Sequence, residues 1–109
     1  MANAYKILGQ TGDASANDVA LYTVPASTET IVSTIIVCNR ENAANTFRLA
    51  IKEDGGSVAN EDYIAYDTNI NANDTITLTL GITLNASDVI SAGASDANVS
   101  FSVFGTEIT

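Results

Sequence analysis

The chain has 109 residues, 46% hydrophobic and 16% charged, with 13 acidic against 4 basic residues for a formal net charge of -9. That length suits one domain with one core, and that hydrophobic content places the chain on the globular side of the boundary with disorder. The charge balance argues against a nucleic-acid binder, which needs clustered cations against phosphate; Lys6, Arg40, Arg48 and Lys52 make no patch along the sequence.

The first residues, Met1-Ala2-Asn3-Ala4-Tyr5-Lys6, lack the basic and apolar regions of a secretory signal, which predicts synthesis in a cytoplasm, and no apolar run approaches the length of a membrane span. A first strand is expected over residues 5–8. Residues 9–18, Gly-Gln-Thr-Gly-Asp-Ala-Ser-Ala-Asn-Asp, offer no apolar anchor and read as an exposed loop long enough to carry contacts. A second strand over 19–24 stops at Pro25, the single proline, because a proline would remove a donor from a central ladder.

The third strand, 30–39, is the strongest core candidate. Its segment Ile31-Val32-Ser33-Thr34-Ile35-Ile36-Val37-Cys38 is apolar on both alternating faces. That predicts a central position covered on both sides, by the domain itself or by a neighbouring subunit. Cys38 reads as a buried free thiol acting as a small hydrophobe, since a nucleophilic cysteine would want a histidine base and the chain has none. In a fourth strand, 46–53, Phe47, Leu49 and Ile51 point to the core while Arg48, Ala50 and Lys52 point to water. Glu53-Asp54-Gly55-Gly56-Ser57 follows as a turn, because Asp-Gly and Gly-Gly supply positive φ angles.

A fifth strand is expected over 63–67. Thr75-Ile76-Thr77-Leu78-Thr79-Leu80 and Val99-Ser100-Phe101-Ser102-Val103 then alternate apolar and hydroxyl residues with period two, the signature of half-buried strands, and anchor a sixth strand over 75–84 and an eighth over 98–108. A seventh lies at 88–92. No stretch carries a helical apolar face, and no repeat of 20–50 residues is present. The expected fold is all-β: one domain over residues 1–109, an antiparallel β-sandwich of about eight strands, jelly-roll or immunoglobulin-like.

Four features of the chain are of the kind that can carry chemistry. Asp67-Thr68-Asn69-Ile70-Asn71-Ala72-Asn73-Asp74 spaces oxygen ligands as a calcium loop does, but Ala72 replaces the turn glycine and Leu78 stands where a bidentate glutamate belongs. A polar loop whose Asx side chains bond their own backbone is the simpler reading. Glu53-Asp54 and Glu61-Asp62 are adjacent acids that point to opposite faces, so neither pair converges as glycoside hydrolysis requires. Tyr63 and Tyr66 lie three apart, which in a regular strand puts them on opposite faces, one of them free for a partner. The glycosylation-type triplets at Asn73, Asn85 and Asn98 mean only surface polarity where no secretory signal precedes them. No catalytic, cofactor-binding or metal-ligating residue is assigned, and no enzyme activity is expected.

Five segments carry a resemblance: Tyr5-Lys6-Ile7-Leu8-Gly9-Gln10; Leu21-Tyr22-Thr23-Val24-Pro25-Ala26; Val32-Ser33-Thr34-Ile35-Ile36-Val37-Cys38-Asn39-Arg40; Tyr63-Ile64-Ala65-Tyr66-Asp67; and Asn73-Asp74-Thr75-Ile76-Thr77-Leu78-Thr79-Leu80-Gly81-Ile82. Together, across nearly the whole chain, they resemble small virion structural proteins of tailed bacteriophages, notably cyanophages and other aquatic phages. These motifs are structural and not catalytic. The resemblance implies a β-sandwich module of the virus particle, with a capsid decoration or cement protein as the leading role. Its partners would be the major capsid protein or other virion components, with no nucleic acid and no membrane, and its oligomer a homotrimer. The alternatives it leaves are a tail, baseplate or fibre-associated module, or a carbohydrate-binding adhesion module. In any of these, strands 30–39 and 75–84 are expected to hold the scaffold, while loops and the N-terminal segment make contacts.

Overall fold

The computed structural model describes residues 2–109 and contains eight strands: β1 Asn3–Thr11, β2 Val19–Thr23, β3 Glu29–Asn39, β4 Asn45–Lys52, β5 Tyr63–Ile70, β6 Thr75–Leu84, β7 Val89–Ala94 and β8 Val99–Ile108. They form two four-stranded sheets, ordered β1-β8-β3-β6 and β2-β7-β4-β5, with every pair antiparallel. Of the hydrogen-bonded pairs only β4 and β5 are consecutive; otherwise each connection crosses from one sheet to the other. Two interleaved four-strand keys of this kind make a jelly roll. The immunoglobulin-like alternative is thereby set aside.

Between the sheets lie Val32, Ile35 and Val37 of β3, Phe47 and Leu49 of β4, Ile90 of β7, and Val99, Phe101 and Val103 of β8, all at most 1% exposed. Phe47 and Phe101 meet edge to face across the sandwich at 6.2 Å, the arrangement that opposes ring edge to ring face. β3 is central, as its apolar run predicts. β6 is not: it forms the edge of its sheet, and Ile76, Leu78, Leu80 and Ile82 are only half-buried against the core. Of the two strands expected to hold the scaffold, one is a rim, because strict alternation reports one buried face and says nothing of lateral neighbours.

Residues 9–18 also depart from expectation. β1 continues to Thr11, and Ala14 is fully buried, its carbonyl accepting from the Ala94 N–H at 3.0 Å and from the Asn17 N–H at 3.1 Å. Arg40 reaches over to donate to the Gly12 carbonyl at 2.6 Å. An alanine is apolar enough to anchor a loop where its neighbours are small: Gly93 of β7 sits directly beneath Asn17, whose side chain would collide with any Cβ there.

Two buried polar clusters join the sheets at opposite ends of β3. At one end Tyr22 of β2 donates to Glu107 of β8 at 2.7 Å and stands 2.8 Å from Thr30 of β3, while Lys6 of β1 meets the other Glu107 oxygen at 2.7 Å. At the other end the Asn39 amide donates to the Ala43 and Asn71 carbonyls at 2.8 and 3.0 Å, and its oxygen accepts from the Glu41 N–H at 3.1 Å. These clusters satisfy groups that would otherwise be desolvated without partners.

Candidate functional site

The alternation that fills the core also decides what each sheet presents outward. On the β1-β8-β3-β6 sheet the inward set is Val32, Ile35, Val37, Phe101 and Val103. The outward set follows from the register. One row runs Ile7, Phe104, Thr34, Thr79; the next runs Tyr5, Thr106, Ile31, Thr83; a third runs Gln10, Ser102, Ile36, Thr77. A bulge at Ser33 shifts β3 by one residue against β8 and keeps both its ends in phase with their neighbours.

This face is apolar at its centre and hydroxylic towards the β6 edge. Tyr5 is 80% exposed, Ile7 54% and Ile31 44%, with Phe104, Ile36 and Ile108 half-buried around them. Glu29, at the β3 start, is the charged residue of its outward rows. Lys6 and Glu107 alternate to the other side and are consumed by their ion pair with Tyr22 beneath. Burial pushes the Tyr22 hydroxyl up to about 12, while Lys6, and then Tyr22, hold the Glu107 carboxyl below the usual value.

The outer face of the β2-β7-β4-β5 sheet is different in kind. Arg48 forks onto Asp67 at 2.7 and 3.1 Å and lies 4.1 Å over the Tyr66 ring; Lys52 pairs with Asp18 at 3.0 Å. Hydrogen bonding to Arg48 and to Lys52 lowers the Asp67 and Asp18 carboxyls respectively. The loop carrying Asn17 and Asp18 folds over β7, which is buried along its whole length. Hollows of about 40 and 170 Å³ remain there, bordered by Arg48 with Ala50 and Tyr63 in one and with Thr46 and Asp67 in the other. Both are smaller than the ~300–1,000 Å³ of ordinary ligand pockets.

Tyr63 and Tyr66 stand together, rings 4.8 Å apart and nearly perpendicular, and not on opposite faces. Two register shifts in β5 against β4 explain this: each inserts a residue into β5, and one inserted residue between the tyrosines turns an odd spacing into an even one. Tyr5 is on the other sheet and Tyr22 is core, so the tyrosines do not gather at one end. Cys38 is a free thiol, half-buried and not buried, because Val37 and Asn39 take the inward positions beside it.

The acidic pairs occupy two single turns of 3-10 helix, Glu53–Gly55 and Asn60–Asp62, at the β4–β5 connection, where Asp62 accepts from the Ala59 N–H at 2.8 Å. Along 67–74, Asn69 donates to Asn71, Asn73 donates to Asn42, and Asp74 accepts from the Thr75 N–H, so these side chains are engaged within the loops. Among the described residues no three His, Cys, Asp or Glu side chains are grouped to hold a metal ion, and no helix is long and apolar enough to cross a membrane. In the sequence this face is marked by Ile31 and Ile36 on the second side of β3, while Tyr5, Ile7 and Phe104 reach it only through strand pairing.

No protein-family model and no curated protein matches the chain. Among solved structures it is similar to a chain of the T13 viral particle of infectious bursal disease virus (IBDV), with a TM-score of 0.52 and 9% identity over 96% of this chain. A pentameric capsid protein from metagenomic phage sequences aligns over 95% of this chain at 16% identity, with a TM-score of 0.38. The chain spans 30% of the IBDV chain's length and 63% of the phage protein's. At such identity the IBDV likeness is one of fold, and it agrees with the jelly roll read from the strand order.

Proposed function

We propose that this chain is a structural protein of a virus particle, and within it a capsid decoration protein that binds the outer shell as a symmetric oligomer, three copies being the number the phage resemblance implies. The observation that carries this reading is the fold, which aligns over 96% of the chain with a protein of the IBDV particle. The segments that resemble phage virion proteins point the same way, from sequence and not from fold.

The surface supports it. Decoration requires many equivalent contacts, which a symmetric oligomer strengthens through avidity. A chain of net charge -9 whose acids lie mostly in the connections between strands, and whose β1-β8-β3-β6 face is largely apolar and hydroxylic, has distinct surfaces for water and for protein. Tyr5 and the Tyr63–Tyr66 pair lie on different sheets, so the exposed tyrosines do not form the single stacking platform a carbohydrate-binding module would use.

The test is rebinding. Purified protein is added to shells of the virus that encodes it, stripped of accessory proteins, and bound copies are counted by quantitative mass spectrometry. Binding in hundreds of copies is the expected result. Absence from shells, with a few copies recovered on tails, would overturn the decoration role and move the protein to the tail or baseplate.

A further inference from the structure

We infer that the outer face of the β1-β8-β3-β6 sheet is the surface through which copies of this chain associate with one another. The inference deepens the proposed function, naming the contact that builds the oligomer, and rests on that reading only for its biological setting.

Charge selects the occupant. Each copy carries a net charge of -9, so two copies approaching through most of their surface repel. The exception is the face of Tyr5, Ile7, Ile31, Ile36 and Phe104, where the outward rows hold apolar and hydroxyl side chains and the one carboxylate, Glu29, sits at the start of β3. A neighbouring copy around a three-fold axis lays a different part of the same uncharged face against it, and neither loses the hydration of an ion. A basic partner would find its complement on the unpaired acids of the connections, such as Glu53, Asp54, Glu61 and Asp62, not here.

Area is sufficient. Four strands at about 4.8 Å spacing, and roughly nine residues along each, give a footprint of about 600 Å² before side-chain relief, near the ~800 Å² that each partner buries in a standard interface. A shallow, open depression bordered by Tyr5, Ile7, Ser33 and Phe104, with Lys6 at its margin held by Glu107, leaves room for side chains of the neighbouring copy. The β6 edge extends the same face with Thr75, Thr77, Thr79 and Thr83 and carries no charge or proline of the kind that guards an open strand. The apolar second face of β3 is then explained: a neighbour covers what the domain itself leaves bare.

The experiment separates this face from the other. The full chain, Ile7→Lys, Ile31→Lys, and Ile64→Lys as a control on β5, are compared by light scattering and sedimentation over a concentration series, with circular dichroism to verify folding. Lysine is chosen because it lowers the net negative charge. If only general repulsion mattered, all three variants would associate more tightly.

The expected result is a wild-type mass at least twice the 11.3 kDa of one chain, at least a tenfold weakening of association for Ile7→Lys and Ile31→Lys, and no weakening for Ile64→Lys. Added salt should tighten wild-type association by screening the net charge. A wild-type monomer at all concentrations, or face variants that associate as the wild type does, would overturn the inference. Shell rebinding keeps the two readings apart: a face variant that is monomeric yet binds shells weakly preserves both, whereas an oligomer built on this face that ignores every part of the particle removes the virion role alone.

Discussion

On the outward side of one sheet stand Tyr5, Ile7, Ile31 and Phe104 among threonines and serines; on the other stand Arg48 and Lys52, each paired with an acid, over a strand closed by a loop. Both faces arise from the same period-two alternation, yet the second pairs its charges within the chain and exposes only Ile64 and Tyr66 of edge strand β5, whereas the first exposes its apolar centre. Three of the four basic residues form ion pairs, Lys6 at the end of the sandwich and the other two on the charged face, while Arg40 binds the Gly12 and Ala97 carbonyls. A face that neutralises itself needs no partner; one that leaves Ile7 and Ile31 in water is completed by another surface.

The contrast holds only while the shared core holds the sheets in place, and the largest effects should come from there. Phe101→Ala or Ile35→Ala should lower stability by about 2–5 kcal/mol, the usual range for emptying a core site, and should weaken both faces together. Gly105→Ala should cost about 1–3 kcal/mol, the usual range for overpacking, because a Cβ at Gly105 would be driven into the Ile31 carbonyl of the neighbouring strand. Denaturant melts read all three. A core variant that lost association while keeping its stability would break the view that both faces hang on one scaffold.

The two polar clusters come next. Asn39→Leu should cost about 1–3 kcal/mol, since it strips partners from buried backbone groups. Tyr22→Phe should cost about as much and carry a pH signature. A tyrosine raised from 10 to about 12 stabilises the fold fully below pH 10 and loses that contribution as pH climbs to about 12. Wild-type melting temperature should therefore fall across that window, and the part due to Tyr22 should vanish in the phenylalanine variant.

At the acid end the sign reverses. Glu107, Asp18 and Asp67 are all lowered, so their stabilisation is complete above the ordinary carboxylate range and is lost as pH falls through their folded values. Melting temperature should be level at neutral pH and drop below about pH 4, with Lys6→Met removing part of the drop. The smallest effects belong to the exposed surface. Arg48→Gln should barely move the melt because its pair with Asp67 faces water. Gly12→Ala should do as little, nothing lying within 4 Å of the added carbon. If Gly12→Ala proved as damaging as Phe101→Ala, the division between core and loop would be wrong.

Much of this was legible in the residues. β6 begins and ends where its alternation does, β3 announces its central place through apolarity on both faces, and Pro25 and the Asp-Gly-Gly turn mark reversals. The tyrosine pair was not legible. Tyr63 and Tyr66 meet because β5 accommodates inserted residues against β4, and a bulge leaves no mark in a count of spacings. Nor was Ala14, whose burial depends on Gly93 and the loop above it. The apolar face was half legible: Ile31 and Ile36 signalled a covered second surface, but Tyr5, Ile7 and Phe104 joined it only through pairing of β1 and β8 with β3.

By itself the sequence determined that the protein is an all-β sandwich with a single core and no clustered cations, because alternation and composition are local properties that survive without knowing any neighbour. The tertiary structure alone decided the order of strands, and with it a jelly roll and not an immunoglobulin-like sandwich. It also decided which outward residues share a face. Lateral pairing joins residues as far apart as Ile7 and Phe104, and no periodicity within either strand records which partner the other will take.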